Sequence, residues 1–527
     1  MTEDVYTKNF STKKTPQSEP IPDKNMVANS AGGYSFKVGK RDLLERFLIL
    51  GTEGGTYYIS EKDLTIDNAQ NVLNLIKTDG EFVVNKIVEI SGAGRALKND
   101  PALFSLAMAS KHGNTKVQTM AYRALQKVAR TGTHLFQFCK YREAFGGWGT
   151  GMRKAVSRWY LSKSPNQLAY QLLKYKQRDG WSHRDLLRLA HPKTENIQHK
   201  AIFDITCHKN SPENLPKLYE GVQKALEAKT PKEVIPLIQE YGLTREMIPT
   251  EFLNTAEVME VLLEEMPMTA MIRNLGNMSK VGLLKPMSDA QKIICDRLVD
   301  EERLKKARIH PASLIIAGKT YGKGHGLKGS GNWTVVQQVV DAINDAFYKS
   351  FKYVEPTGKR FLLGVDVSSS MSWNNPTSGV MNCAEAAALM SLVTAKVEKN
   401  YHIMGFADHF KDLGISPNMR FDDVMKKTRN QNFGGTDCAL PMLWANKNSV
   451  EVDTFVVYTD NETWHGRIHP VQALQQYRQK TGINAKLIVV GLEGNSFTIA
   501  DPNDSGMLDV VGFDSNTPNA ISEFSKL

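Results

Sequence analysis

Apolar residues recur at spacings of three and four from about Lys37 to Tyr353, as in Ala102-Leu103-Leu106-Ala107 and Val258-Val261-Leu262. Breaks rich in Gly, Pro and Asn separate the runs. That period gives each segment one apolar helical stripe. More than a dozen such segments follow one another with hardly any strict alternation, which predicts helix pairs stacked as a solenoid rather than a compact bundle. No fixed repeat length emerges. Residues 1–26, polar with scattered Lys, Ser, Thr and Pro, read as a flexible tail.

The pattern changes after the glycine-dense stretch Gly322–Gly331. One more helix is predicted over Val335–Phe351. Apolar runs of strand length then alternate with helices: Phe361–Val367, Tyr401–Phe406, Thr454–Tyr458 and Lys486–Val490 as strands, with Glu385–Val397 among the helices. Alternation of this kind predicts a doubly wound parallel sheet that binds ligands at the C-terminal strand ends. The domains are therefore a tail over 1–26, an all-α repeat domain over 27–355 and an α/β domain over 356–527. With 527 residues, more than one core is expected.

Charge separates the two halves further. Residues 1–355 carry 51 Lys+Arg against 38 Asp+Glu, whereas 356–527 carry 15 against 18. The whole net excess of +10 lies in the helical part, which points to a polyanion as its partner. Five cysteines stand far apart with no CxxC pair, which argues against a zinc ribbon and a disulfide framework. There is no apolar N-terminal signal region and no run of about 18 apolar residues, so a cytoplasmic protein off the membrane is expected.

Within the helical part, Phe145–Arg178 contains no acidic residue but seven basic ones: Arg153, Lys154, Arg158, Lys163, Lys174, Lys176 and Arg178. Cations meet phosphates, and interleaved aromatics can stack on unpaired bases. The aromatics here are read first as core. On the helix after Ser164-Pro165, Gln167, Gln171, Lys174 and Arg178 are predicted to share one stripe. A second acid-free stretch runs from Arg303 to Val340.

The α/β part carries three oxygen-rich strings. Asp366-Val367-Ser368-Ser369-Ser370 follows a predicted strand, Gly434-Gly435-Thr436-Asp437 precedes a helix, and Thr459-Asp460-Asn461-Glu462 follows another strand. Few charges and many neutral oxygens suit Mg²⁺ or another hard divalent ion. No HExxH, no GxSxG and no nucleophile–base spacing is present, and Gly318-Lys319-Thr320 fails as a P-loop because Ser313 stands at its first glycine. An enzyme is therefore not expected, and a metal-dependent nuclease ranks last among the readings.

The three strings together look like the metal-ion-dependent adhesion site of von Willebrand A domains. By that resemblance Ser368, Ser370 and Thr436 ligate the ion directly, with Asp366 and Asp460 acting largely through water, and an open position takes an acidic residue from a partner. Longer strings resemble the Ro ribonucleoprotein (Ro/SS-A autoantigen) family, which defines the TROVE domain: EGGTYYI (Glu53–Ile59), KYKQRDGWSHRDLLRLAH (Lys174–His191), EMPMTAMIRNLGNM (Glu265–Met278), KKARIHP (Lys305–Pro311), VEPTGKRFLL (Val354–Leu363) and FTIADP (Phe497–Pro502). The resemblance implies a monomeric ring of HEAT-like helical repeats joined to a von Willebrand A domain. It implies Y RNAs on the outer ring surface, 3′ single-stranded ends of misfolded noncoding RNAs in the central hole, and noncoding RNA quality control. Carried over by position, Lys174, Arg178 and His191 are Y RNA contacts, with Arg153 and Lys154 nearby and Arg273 and Asn274 lining the hole. In related bacterial systems the RNA tethers such a protein to an exoribonuclease. The competing reading is an adaptor whose metal site contacts a protein while RNA is incidental.

Overall fold

The computed structural model describes residues 14–52, 61–96, 98–208, 212–326, 331–351, 354–373, 381–428, 434–514 and 516–527. The string Glu53–Ile59 and residues 327–330 of the glycine-dense stretch lie outside them.

Helices fill the chain from Lys40–Leu50 to Gln337–Lys349. Local chemistry sets their ends. Ser164 caps Pro165–Lys174 reciprocally with Gln167, and Ser182 does the same with Asp185 for His183–Ala190. Successive helices pack on their neighbours, burying the apolar stripes in two long clusters. The run then returns on itself. His310, some two hundred residues after the helix Glu61–Ala93, bonds through Nε2 to the Arg95 carbonyl at 3.1 Å. Gly94 lies against Arg308 at the same junction. The closed run encloses a cavity of about 790 Å³.

The second unit is a six-stranded sheet. Its order is Met507–Val511, Lys486–Gly491, Thr454–Thr459, Arg360–Asp366, Asn400–Phe406 and Phe410–Asp412, parallel except for the last pair. The four expected strands form within a residue or two of their predicted bounds. The two edge strands, Phe410–Asp412 and Met507–Val511, were not anticipated, because each is short and only partly apolar. The chain leaves the central strand Arg360–Asp366 to one side and returns on the other, which opens a crevice beyond Asp366 and Asp460.

Residues 14–26 depart from the expected flexible tail. Gln17 is fully buried, donates to Asp437 Oδ1 (2.6 Å) and the Ile468 carbonyl (2.9 Å), and accepts from Thr463 Oγ1. Ile21 enters the core of the α/β unit, and Lys24 pairs with Asp501. Met26–Ala28 and Tyr34–Lys37 then build a three-stranded sheet with Phe497–Thr498. The segment is held by single polar side chains finding partners more than 400 residues away, a feature with no periodicity to read.

The two units share buried polar joints as well as a continuous core. Arg46, with no exposed surface, donates to the Asn495 and Phe497 carbonyls, to Asn495 Oδ1 (2.8 Å) and to Asp509 Oδ2 (2.6 Å). Arg95 reaches Asp514 and Glu45, and Tyr348 donates to the Met419 carbonyl. All five cysteines are free thiols. No helix among the described residues is long and apolar enough to cross a membrane.

Candidate nucleic-acid interface and metal centre

The cavity enclosed by the helices is lined by Lys98, Arg130, Arg273 and Arg308, by His134 and His310, and by the rings of Tyr321 and Trp333. No Asp or Glu among the described residues lines it. Arg130 is steered by the Ser91 carbonyl (3.0 Å) and hydroxyl (2.8 Å), and burial together with the nearby Arg308 lowers its pKa. Two guanidiniums held close repel each other, and an anion between them would relieve that repulsion. Burial also lowers His134 to about 4, so it enters the cavity as a neutral imidazole. Tyr321 and Trp333 lie stacked at 14° with centroids 6.2 Å apart. Of the two hole-lining residues carried over from the resemblance, Arg273 faces the cavity. Asn274 does not line it; its amide turns back to the Ala270 carbonyl at 2.8 Å.

On the outside, the acid-free stretch divides by side chain. Trp159 and Tyr160 are fully buried, as core aromatics should be. Arg153 and Lys154 are exposed on Thr150–Leu161. The expected stripe running to Arg178 does not form, because the helix stops at Lys174. Asp179 and Gly180, at φ +54° and +81°, make the two-residue turn of a small hairpin that pairs Gln177–Arg178 with Trp181–Ser182. An Asp-Gly turn of this hand is a hairpin signal, and it was there to be read. Arg178 is 60% exposed at the tip. Lys174 points inward instead: its side chain is 11% exposed, its ammonium bonds Tyr170 Oη at 2.8 Å, and the Glu246 carboxylate lies at 3.8 Å. His191 is exposed and ends the following helix in a left-handed turn (φ +46°). Sequence reasoning missed Arg184 and Arg188, both exposed on that helix one turn apart. Their four-residue spacing on a strongly amphipathic helix was the available signal.

At the crevice of the α/β unit, Asp366, Ser368, Ser370, Thr436 and Asp460 are all buried, and the Thr436 carbonyl ties its loop to the one after Asp460 by accepting from the Thr463 hydroxyl (3.3 Å) and the Trp464 N–H (3.1 Å). Asp366 is fixed by the Ser368 N–H (2.9 Å) and the Thr459 hydroxyl (2.6 Å). The Ser368 and Ser370 hydroxyls are 3.1 Å apart, and Ser370 hydrogen-bonds Asp460. Burial, with the adjacent Asp460 adding to it, pushes Asp366 up to about 7 and burial raises Asp460 too. Asp460 Oδ2 is sealed from solvent without a partner. Paired buried carboxylates and an orphaned oxygen beside the Ser368 and Ser370 hydroxyls fit a hard divalent cation. No three His, Cys, Asp or Glu side chains among the described residues converge as ligands, so an ion here depends on the hydroxyls.

Comparison with known proteins finds matches over most of the chain. The TROVE domain family model matches residues 27–235 and 238–323, and the Ro60 vWA domain model matches 360–525. The RNA-binding protein RO60 of Deinococcus radiodurans is 42% identical over 518 residues, covering 97% of each chain. The protein of the same name from Caenorhabditis elegans is 36% identical, covering 97% of this chain and 92% of its own. The crystal structure of the Deinococcus radiodurans RO (RSR) protein aligns with a TM-score of 0.71 over 93% of this chain and 99% of that one. With both halves matched in order and close relatives along nearly every residue, the chain belongs to the Ro60 family, a TROVE domain followed by a Ro60 vWA domain.

Proposed function

We propose that the chain is a non-catalytic RNA-binding protein that takes a single-stranded RNA end into its helical cavity and a small structured noncoding RNA on its outer basic face. The observation that carries this reading is a cavity of about 790 Å³ whose described lining residues include three arginines and a lysine and no carboxylate. Phosphates are the anions such a lining selects, and the stacked Tyr321–Trp333 pair offers an unpaired base an aromatic neighbour. A duplex about 20 Å wide does not enter a space of that volume, which restricts the cavity to single strands. The outer contacts are Arg153, Lys154, Arg178, Arg184, Arg188 and His191, with Lys174 bracing Tyr170 behind them. The relatives named as RNA-binding proteins support the same reading. Its biological setting is quality control of misfolded noncoding RNAs with a Y RNA as the outer ligand, and that RNA serves as the tether to an exoribonuclease.

Crosslinking and sequencing of RNA bound in the protein's own cells tests the outer face, comparing wild type with an Arg178→Ala/Arg184→Ala/Arg188→Ala variant. A dominant small structured RNA lost from the variant is the expected result. Its retention overturns the surface assignment.

A second role belongs to the vWA domain. Trp373 and Trp464, 67% and 41% exposed, follow two of the three metal-site loops. Exposed tryptophans are favoured anchors for a protein partner. We read the site as holding Mg²⁺ and presenting it to an acidic residue of such a partner. Asp366→Ala is expected to abolish that association and leave RNA affinity unchanged.

A further inference from the structure

Four carboxylates crowd the C-terminal edge of the sheet: Asp366, Asp460, Glu462 and Glu493, each no more than 5% exposed. The first two belong to the metal site described above. Glu462 lends one oxygen to the Ala31 N–H at 3.0 Å. Both side-chain oxygens of Glu493 are sealed from solvent, and neither accepts a hydrogen bond from the described residues.

The backbone fixes where this bare carboxylate sits. Thr459 and Gly491 are register partners on adjacent parallel strands, so the chain passes Glu493 two residues beyond one strand end as it passes Asp460 one residue beyond the other. Leu492 N–H then bonds the Thr459 carbonyl (3.2 Å), and the Asn495 amide bonds the Asp460 carbonyl. Glu493 is held between these two anchors. The charges that face it are Asp460, Glu462 and Asp366, and all are acidic. The two terminal nitrogens of Arg46, close to Gly491, are taken by Asn495, Phe497 and Asp509, and its buried Nε has no partner among the described residues, Glu493 included. A carboxylate buried among carboxylates with no donor is expensive, and it persists where a cation neutralises the group. Its thiol neighbour Cys383, which burial keeps protonated, carries no positive charge to offset it.

We infer that Glu493 belongs to the metal-binding apparatus as an outer residue that accepts a hydrogen bond from water on the ion and adds the negative charge that makes the ion resident. This rests on reading Ser368, Ser370 and Thr436 as the ligands. Because no three acidic or imidazole side chains converge among the described residues, Glu493 acts through water and charge and is not a direct ligand. Outer groups of this kind typically tune metal affinity by 10- to 100-fold. With Asp366 and Asp460 already matching a divalent charge, the extra carboxylate favours retention of the ion before any partner arrives.

Calorimetric titration of the chelator-stripped full chain with Mg²⁺, and separately with Mn²⁺, tests this. Glu493→Gln is expected to weaken both by about tenfold or more. Glu493→Asp, which keeps the charge, should recover part of that loss. Melting of stripped Glu493→Gln should be no lower than that of stripped wild type, because the change removes an unpaired buried charge. Equal affinity in wild type and Glu493→Gln, with Asp366→Ala inert to metal, overturns the role of Glu493 and leaves the site standing. No binding by the wild type overturns both.

Discussion

At the scale of single residues, this protein places polar groups where only one protonation or charge state serves. His310 accepts the Ala312 N–H on Nδ1 (3.1 Å) and directs Nε2 at the Arg95 carbonyl. Both bonds are satisfied by the neutral ring alone, and burial lowers its pKa to about 4. Because the folded pKa lies below the unfolded value near 6.5, the unfolded chain binds more protons between those limits. Stability from this group is complete above about pH 6.5 and is lost as pH falls towards 4, by roughly 2–3 kcal/mol. Thermal melts from pH 7.5 to 4.5 are expected to show a shallower decline for His310→Gln than for wild type. An identical slope removes His310 from the acid response. The sequence displays such a histidine only as part of KKARIHP, and its partner Arg95 stands far upstream, so its latch role is invisible there. Lys174 teaches the same lesson from the other side. It stands in an acid-free stretch, yet Glu246 and Tyr170 reach it in the fold.

At the scale of elements, periodicity located helices and strands well because burial enforces it: three of the predicted strands and Cys383–Val397 are buried over nearly all their length, and Asn400–Phe406 is buried over its last four residues. It failed at the hairpin after Lys174, where two residues with positive φ decide the path. Gly180 has open space around it, so Gly180→Ala meets only backbone strain, about 1 kcal/mol. Its melting temperature should barely move, while RNA affinity on the outer face falls as Arg178 is displaced; unchanged affinity takes Arg178 out of the contact set. The helix Lys40–Leu50 meets the sheet through Arg46, which no pattern singles out among 66 basic residues. Arg46→Met strands the Asp509 carboxylate and Asn495. A loss of about 3–5 kcal/mol is expected from denaturant unfolding. A change under 1 kcal/mol would show that water replaces the guanidinium.

At the scale of the whole molecule, the charge division along the chain becomes a division of labour: the basic excess surrounds a cavity and one outer face, and the slightly acidic unit concentrates its carboxylates at a cation-fitting crevice. That division was legible from composition. The three oxygen-rich strings were legible because they are local and ordered. The cavity was not, since Lys98, Arg130, Arg273 and Arg308 come from four distant places and share no local motif. Family resemblance supplied Arg273; closure of the ring supplied the rest. The joint between the units also passes through the metal-site loop, because Asn495 bonds both Arg46 and the Asp460 carbonyl.

The most direct measurement is fluorescence anisotropy of a labelled single-stranded RNA with a free 3′ end, titrated with wild type and with Arg130→Gln/Arg273→Gln at several salt concentrations. The double variant is expected to bind at least tenfold more weakly, with a shallower salt dependence because two phosphate contacts are gone. Equal affinity and an equal salt slope in the two proteins would contradict the assignment of the cavity to RNA.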